Sequence, residues 1–256
     1  MIVFNFGQAK TGSTFVYQIL VNLRFISKSN IKQMYYPVLT PEVFAEIDRM
    51  DEPDQLFVVK CHAGMHERVR QLLDEERASV VATFRDPRDS ALSQLDAGRR
   101  DTALGKKTVF VNFKTGRDIA PIVKRQVRMV KTVLEVDHPR IFKIPYFVLA
   151  EDQNYVVQRV CDFVGLSGHS EEVLQIWRNA DREKKIGQYN KGVANRFATD
   201  LRLDDLRTIH EEVKDEADYV DQKTRSLVAG TRFERLFEQA CRQRDAVIME
   251  RLGQAR

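Results

Sequence analysis

Short apolar runs rich in valine, isoleucine and phenylalanine recur along the first part of the chain. They predict four β-strands, at residues 1–6, 55–60, 79–84 and 140–144. Between these runs, apolar residues recur at every third or fourth position, as on the buried face of a helix. This pattern predicts helices at residues 15–25, 41–49, 67–76, 90–97, 118–136, 154–164 and 171–179. Strands that alternate with helices indicate an α/β protein, in which helices cover both faces of a parallel β-sheet.

Two stretches of the sequence show neither the apolar runs of strands nor the helical spacing of apolar residues. Residues 29–41 are expected to form a loop that ends where Thr40 caps the next helix. Residues 99–117 contain six cations and are expected to be an insertion or a mobile loop. Asp118 directly after them is predicted to cap the long helix that follows.

The chain after Gly192 is helical in pattern and highly charged. Its apolar positions predict one inward face, formed by Leu203, Leu206, Ile209 and Val213. We therefore expect an α/β domain at residues 1–197 and a helical C-terminal extension, packed on it, at residues 198–256.

The loop at residues 7–14 joins the first predicted strand to the first predicted helix. Such a loop directs several backbone N–H groups to one point, and the helix N-terminus behind it favours an anion, most naturally a phosphate. Gly7, Gly12 and Thr14 match the nucleotide-binding motif G-x-x-x-x-G-K-[ST], but Ser13 takes the place of its lysine, and Lys10 lies three residues earlier. This shift argues against an ordinary Mg-ATP site. The alternative is a plain strand-to-helix turn with a solvated lysine.

Composition narrows the class of protein further. A net charge of +4 over 256 residues suits anionic small molecules and does not demand nucleic acid, so no nucleic-acid partner is expected. No apolar run approaches the about 20 residues that span a bilayer, so no membrane span is expected. The first predicted strand begins at Met1, so no signal peptide is expected. Three widely spaced cysteines suggest neither a disulfide framework nor a zinc site, and the expected location is the cytoplasm.

Chemically notable residues follow three of the predicted strands. They are the loop with Lys10, the run Lys60-Cys61-His62, and the segment that begins at Arg85. Because ligands bind at the carboxyl ends of parallel strands, we expect these three clusters to converge on one crevice.

Several motifs, in the right order, resemble those of sulfotransferases that use 3′-phosphoadenosine 5′-phosphosulfate (PAPS). Ala9 to Thr14 resembles P-K-[ST]-G-[ST]-[ST], and Lys60-Cys61-His62 resembles K-T-H. Arg85-Asp86-Pro87-Arg88-Asp89, with Ser93 four residues on, matches R-[ND]-P-x-D-x-x-x-S. Weaker echoes occur at residues 146–149, 163–166 and 190–192. The resemblance covers roughly residues 1–197 and implies the P-loop NTPase-like sulfotransferase fold.

The resemblance also implies roles for these residues. The expected donor is PAPS, the expected product is adenosine 3′,5′-bisphosphate (PAP), and no metal is expected. His62 is expected to act as the base and Lys10 to stabilise the leaving phosphate. The residues expected to bind the donor are Lys10, Thr11, Gly12, Ser13, Thr14, Phe15, Arg85, Ser93, Tyr146, Lys191 and Gly192. Among them, Thr11 to Thr14 cradle the 5′-phosphate, and Arg85 and Ser93 hold the 3′-phosphate. The acceptor is a hydroxyl or an amine on a small molecule or a glycan.

Some positions depart from the family pattern, and other interpretations stay open. Phe15 replaces a tryptophan that stacks on adenine, and Asn190 replaces an arginine that grips the 3′-phosphate. His62 is alternatively a packed loop residue, and Arg85 is alternatively a salt-bridge partner of Asp86 or Asp89. At the level of function, the alternatives are a P-loop kinase for a small molecule and a nucleotide-binding protein without turnover.

Overall fold

The computed structural model describes residues 1–23, 30–49, 55–182 and 193–253. Its sheet contains β1 (Ile2–Gly7), β2 (Asn30–Tyr36), β3 (Gln55–Cys61), β4 (Ala78–Phe84) and β5 (Ile141–Pro145), in the order β2-β3-β1-β4-β5. Strand β1 runs parallel to both β3 and β4, and β2 runs parallel to β3. The predicted α/β class with a parallel sheet is confirmed.

Strand β2 corrects the prediction of a loop at residues 29–41. It pairs with β3 from Asn30 opposite Gln55 to Tyr36 opposite Cys61. It lies at the edge of the sheet, where Lys32 and Gln33 are exposed and Met34 is buried. An edge strand buries few side chains, so its sequence lacks the continuous apolar run that identifies the inner strands.

Helices cover both faces of the sheet, as the sequence predicts. On one face, Phe4 of β1 and Val59 of β3 belong to an apolar cluster with Phe44 of α2 (Pro41–Asp48) and Leu72 of α3 (Glu67–Asp74). Helix α1 (Ser13–Asn22) contacts β1, β3 and β4. Because successive side chains of a strand point to opposite faces, α1 covers the face that this cluster leaves open.

The remaining helices follow in chain order. They are α4 (Pro87–Ala103), α5 (Gly116–Leu134), α6 (Tyr146–Glu151), α7 (Gln153–Phe163), α8 (Ser170–Arg182), α9 (Phe197–Asp200), α10 (Leu203–Glu212), α11 (Lys214–Val228) and α12 (Phe233–Gly253). Among the described residues, no helix is both long enough and apolar enough to cross a bilayer.

The chain divides into two compact units. Unit 1 comprises Met1–Phe84, Met129–Ile144 and Val148–Lys191, and unit 2 comprises Arg85–Arg128, Pro145–Phe147 and Gly192–Arg256. The division at residue 197 that the sequence suggested stays a prediction.

Unit 2 has an apolar core of its own. Leu92 of α4 and Ile119 of α5 are buried in it together with Leu206 and Ile209 of α10 and Ile248 of α12. The inward face predicted for α10 is therefore present in the structure. Val213 is buried with it, and Leu203 is half-buried.

The prediction of an irregular segment at residues 99–117 is wrong at both ends, because α4 extends to Ala103 and α5 begins at Gly116. Between them, Val109–Asn112 forms a 3-10 helix. Its backbone packs so closely on α4 that a Cβ added to Gly98 would lie 2.2 Å from the carbonyl oxygen of Phe110.

Two helix starts also differ from the prediction. Helix α4 begins at Pro87 rather than Ser90, because the Asp86 carboxylate accepts a hydrogen bond from the backbone N–H of Arg88. Asp118 lies within the first turn of α5, where its carboxylate accepts the backbone N–H groups of Lys114 and Thr115. Thr40 caps α2 as predicted, by accepting a hydrogen bond from the Val43 N–H.

Candidate active site

The loop between β1 and α1 in unit 1 turns sharply. Lys10 has φ 67° and Gly12 has φ 89°, both in the left-handed region. The Thr11 hydroxyl donates to the carbonyl of Gln8 over 2.8 Å and lies 3.1 Å from the hydroxyl of Thr83 on β4. Helix geometry leaves the first backbone N–H groups of α1 without partners inside the helix, and Gly12 before them has no side chain to cap them. This arrangement is typical of a phosphate site.

Gly7 is required where β1 ends. A Cβ at this position would lie 2.3 Å from the Thr83 hydroxyl oxygen and 2.6 Å from the Cβ of Ser13. Both distances are too short for any larger residue without a shift of the loop or of β4. The loop is therefore packed tightly against the sheet beneath it, and Ser13 is buried there.

His62 directly follows β3, and its ring contacts this loop. The ring Nδ1 lies against the carbonyl oxygen of Gly7, and the side chain of Gln8 donates to the His62 carbonyl over 3.0 Å. A carbonyl oxygen only accepts, so Nδ1 must carry the proton and donate it. In the neutral ring the lone pair is then on Nε2, which suits a general base. Burial, with a smaller effect of Lys60, lowers the pKa of His62, although the bond to Gly7 acts in the opposite direction.

Lys60 reaches the same loop from β3. Its ammonium donates to the Thr14 hydroxyl over 2.8 Å and lies near the rings of Tyr17 and Tyr35. Burial, and then the positive charge of Lys10, lower the pKa of Lys60 to about 8. Each of these two cations disfavours the positive charge of the other, so an anion bound beside both would be stabilised. Sequence reasoning assigned no role to Lys60. Lys60 lies between Val59 and Cys61, whose side chains are buried on the other face of the sheet, so the side chain of Lys60 faces α1. This alternation along β3 is the sequence feature that could have identified Lys60 as a site residue.

Phe15 is the first aromatic residue of α1. Its ring is buried and meets the ring of Trp177 on α8 edge to face, with 4.9 Å between centroids. The adenine contact that the resemblance implies for Phe15 stays a prediction.

Arg85, the first residue of unit 2, is almost fully buried. Its guanidinium lies 3.9 Å from the ring centre of Tyr146, the first residue of α6, and donates to the carbonyl of Val193 over 3.2 Å. It also forms an ion pair with Asp89 at 3.4 Å. The structure thus brings the predicted residues Arg85 and Tyr146 together, and it shows that the Asp89 salt bridge considered as an alternative exists as well.

Asp89 connects this arginine to a later part of the chain. Its buried carboxylate accepts the backbone N–H groups of Asn195, over 2.6 Å, and of Phe197, over 3.1 Å. Burial raises the pKa of Asp89, although Arg85 acts in the opposite direction. Sequence reasoning assigned no function to Asp89, because the two backbone groups that it holds lie more than 100 residues away along the chain.

Three further residues were predicted to bind the donor, and the structure describes only the first of them. Ser93 is buried on α4, two turns after Pro87. Lys191 and Gly192, with the neighbouring Asn190, lie outside the described residues.

Unit 2 also contains an open cavity of about 600 Å³ beside the 3-10 helix. It is lined by Thr102, Gly105, Lys106, Lys107, Thr108, Val109, Val111, Asn112 and Lys114. The three lysines make it a candidate for an anionic or polar molecule. In the described residues, no group of three or more histidine, cysteine or carboxylate side chains is arranged to hold a metal ion.

Comparison of the sequence and the fold with known proteins identifies the family of this chain. A model of the sulfotransferase domain matches residues 3–196. A search of the curated proteins gives no match to the chain. The solved structure of mouse sulfotransferase SULT7A1 complexed with PAP has a TM-score of 0.59 and 14% sequence identity, over 93% of this chain and 88% of that one.

Retinol dehydratase is similar in two solved complexes. The complex with retinol and PAP has a TM-score of 0.56, and the complex with androsterone and inactive cofactor PAP has one of 0.54. Both are 16% identical and cover 90% of this chain, and 82% and 81% of theirs. Because the domain model matches most of the chain, this protein belongs to the sulfotransferase family. The predicted sulfotransferase fold and enzyme class are confirmed.

Proposed function

We propose that this protein transfers a sulfuryl group from PAPS to a hydroxyl or amine of an acceptor. The observation that carries the proposal is the pair of lysines at the phosphate-type loop, where Lys60 donates to Thr14 and its pKa is lowered to about 8 by burial and then by Lys10. An anion bound there would offset the repulsion between the two cations. PAP in the solved complexes of three family structures supports PAPS as the donor.

The residues of unit 1 are proposed to have different roles in the transfer reaction. When bound, PAPS supplies the sulfuryl group and leaves as PAP. Lys10 and the first-turn N–H groups of α1 stabilise the negative charge that develops on the 5′-phosphate oxygen as its bond to sulfur breaks. Thr11 and Ser13 are tied into the buried base of the loop and hold it in shape, while Thr14 orients Lys60. Such fixed dipoles need little reorganisation during the reaction.

His62 is the proposed base. Its Nδ1 donates to Gly7, which fixes the tautomer and leaves Nε2 to take the proton of the acceptor as the acceptor oxygen or nitrogen bonds to sulfur. Its lowered pKa keeps the ring in the neutral, proton-accepting form at neutral pH.

The residues of unit 2 are proposed to read the 3′-phosphate. Arg85 offers a planar fork of donors, and its stacking on Tyr146 and its bond to Val193 fix the direction of that fork. Ser93 is proposed to add a hydroxyl, and Lys191 and Gly192 further donors. For the acceptor, retinol and androsterone in the retinol dehydratase complexes support a small molecule, while a glycan remains the alternative.

The test compares PAP, 5′-AMP and Mg-ATP as ligands of the full chain, followed by transfer from labelled PAPS to a panel of phenols, alcohols, amines and glycans. PAP should stabilise the protein most, by about 2.7 kcal/mol at 100 times its dissociation constant. Stronger stabilisation by Mg-ATP would favour the kinase. Tight PAP binding without transfer to any acceptor would favour the binding protein without turnover.

A further inference from the structure

Four buried charged side chains of unit 2 form a cluster outside the proposed contacts of the donor. Asp86 and Arg88 begin α4, Asp221 lies on α11 and Arg244 lies on α12. The last two lie beyond residue 196, where the match to the sulfotransferase domain ends. The cluster therefore connects the C-terminal helices to the segment that follows β4.

Arg244 is the centre of the cluster. Its guanidinium donates two parallel hydrogen bonds to Asp221, over 3.0 and 2.7 Å, and lies 3.6 Å from the carboxylate of Asp86. Its side chain is 4% exposed. Paired geometry of this kind fixes both partners, and an arginine fits it in a way that a lysine does not.

Asp86 directly follows Arg85, the residue proposed to bind the 3′-phosphate, so the cluster adjoins the proposed donor site at this position. Its carboxylate accepts hydrogen bonds from the backbone N–H and the guanidinium of Arg88, the shortest over 2.6 Å. It thereby sets both the start of α4 and the direction in which the backbone leaves Arg85. Burial alone would raise the pKa of Asp86, but Arg88 and Arg244 outweigh it and hold the pKa below its usual value.

The charges of the cluster balance only when all four members are present. Two buried arginines face two buried carboxylates at the contacts given above, and the exposed Asp245 also pairs with Arg244 at 2.9 Å. Removing one of the buried positive charges leaves a buried carboxylate less well compensated. Loss of Arg244 should therefore act on Asp86, and through it on the adjoining Arg85, without any contact between Arg244 and the ligand.

We propose that Arg244 is a positioning residue for the donor site: with Asp221 it holds Asp86, and so aims Arg85 at the 3′-phosphate. The C-terminal helices are then part of the machinery that distinguishes a 3′-phosphorylated donor. This inference rests on the proposed role of Arg85.

The test measures the affinities of the full chain for PAP and 5′-AMP in the wild type, Arg244→Lys and Asp221→Asn. Arg244→Lys keeps the positive charge but loses the paired hydrogen-bond geometry. Asp221→Asn keeps the shape of the side chain that pairs with Arg244. Because each change is conservative, at least one of the two variants is expected to fold. Both should lower the preference for PAP by about tenfold, while 5′-AMP affinity stays near that of the wild type.

The matched control is Arg140→Ala. It removes an arginine ion pair with Glu76 at 2.6 Å that lies in unit 1 and includes no member of the cluster. It should leave the preference unchanged. An unchanged preference in either folded test variant, or an equal loss of affinity for both ligands, would overturn the inference. A wild type without any preference for PAP would overturn the role of Arg85 and this inference with it. A wild-type preference that either folded variant retains unchanged would overturn this inference alone.

Discussion

The ammonium of Lys60 lies 2.8 Å from the hydroxyl of Thr14, so a cation near the end of β3 is hydrogen-bonded to the first turn of α1. Its position is unfavourable in the ligand-free protein, because burial and Lys10 lower its pKa from 10.5 to about 8. The folded protein therefore retains an unfavourable positive charge where an anion is proposed to bind.

Lys60→Met should stabilise the ligand-free protein and weaken PAP binding. The native pKa is below the unfolded one, so at pH 7 the charged lysine opposes folding, and this penalty is relieved as pH rises from about 8 towards 10.5. The gain from removing the charge is on the order of 2 kcal/mol. Thermal melts with and without PAP measure both effects. Lys32→Met on the exposed edge strand is the control, and a Lys60→Met protein that is destabilised yet binds PAP normally contradicts the prediction.

His62→Ala should fold and bind PAP but lose turnover by about 10²–10⁴-fold, because the proposed proton acceptor is gone. In the wild type, burial lowers the pKa of His62, so the rate should fall with decreasing pH only at a lower pH than an ordinary histidine would give. Initial rates between pH 5 and 8 test this. His66→Ala is the matched control, since the His66 ring accepts the Arg68 N–H at the start of α3. Equal rates for the wild type and His62→Ala would remove His62 from the mechanism.

Gly7→Ala should destabilise the fold by roughly 1–3 kcal/mol, the usual cost of overpacking. The added methyl would lie 2.3 Å from the Thr83 hydroxyl and 2.6 Å from the Cβ of Ser13. Thr83→Ala should restore part of the loss, because it relieves one of the two contacts. Denaturant unfolding gives the free energies. Gly253→Ala, where an added Cβ meets nothing within 4 Å, provides the comparison and should be close to neutral.

Transfer activity should be unchanged after treatment with EDTA. The proposed charge stabilisation comes from Lys10, Lys60 and the backbone of α1 rather than from a metal ion. Rates are compared in chelated buffer with and without added Mg²⁺. A strict requirement for Mg²⁺ would contradict the mechanism and revive the kinase interpretation.

The double variant Lys106→Glu with Lys107→Glu should raise the KM for acidic acceptors and leave PAP affinity unchanged, since both lysines line the cavity of unit 2. The charge-matched control is Lys131→Glu with Arg235→Glu, at exposed positions of α5 and α12. Steady-state kinetics with acidic and neutral acceptors separate the two effects. An equal change in test and control variants would indicate a general effect of net charge instead of an acceptor site.

The sequence by itself determined the strands other than β2, the main helices and the loop with Lys10, because each depends on local periodicity and on residues close in the chain. Buried strands require continuous apolar runs, and a phosphate loop requires small residues between a strand and a helix. The motifs that follow the predicted strands occur in the same order as in the sulfotransferase family, and this order indicated the sulfotransferase class.

Only the tertiary structure decided which distant groups meet. Edge strand β2 buries little and so carries a weak pattern, and its pairing with β3 exists only in the folded sheet. The tautomer of His62 depends on the carbonyl of Gly7, 55 residues away in the chain. The bond of Lys60 to Thr14 and the grip of Arg244 on Asp221 likewise depend on the approach of whole elements. No local spacing encodes such contacts, because the packing of strands and helices, rather than neighbouring residues, sets their distances.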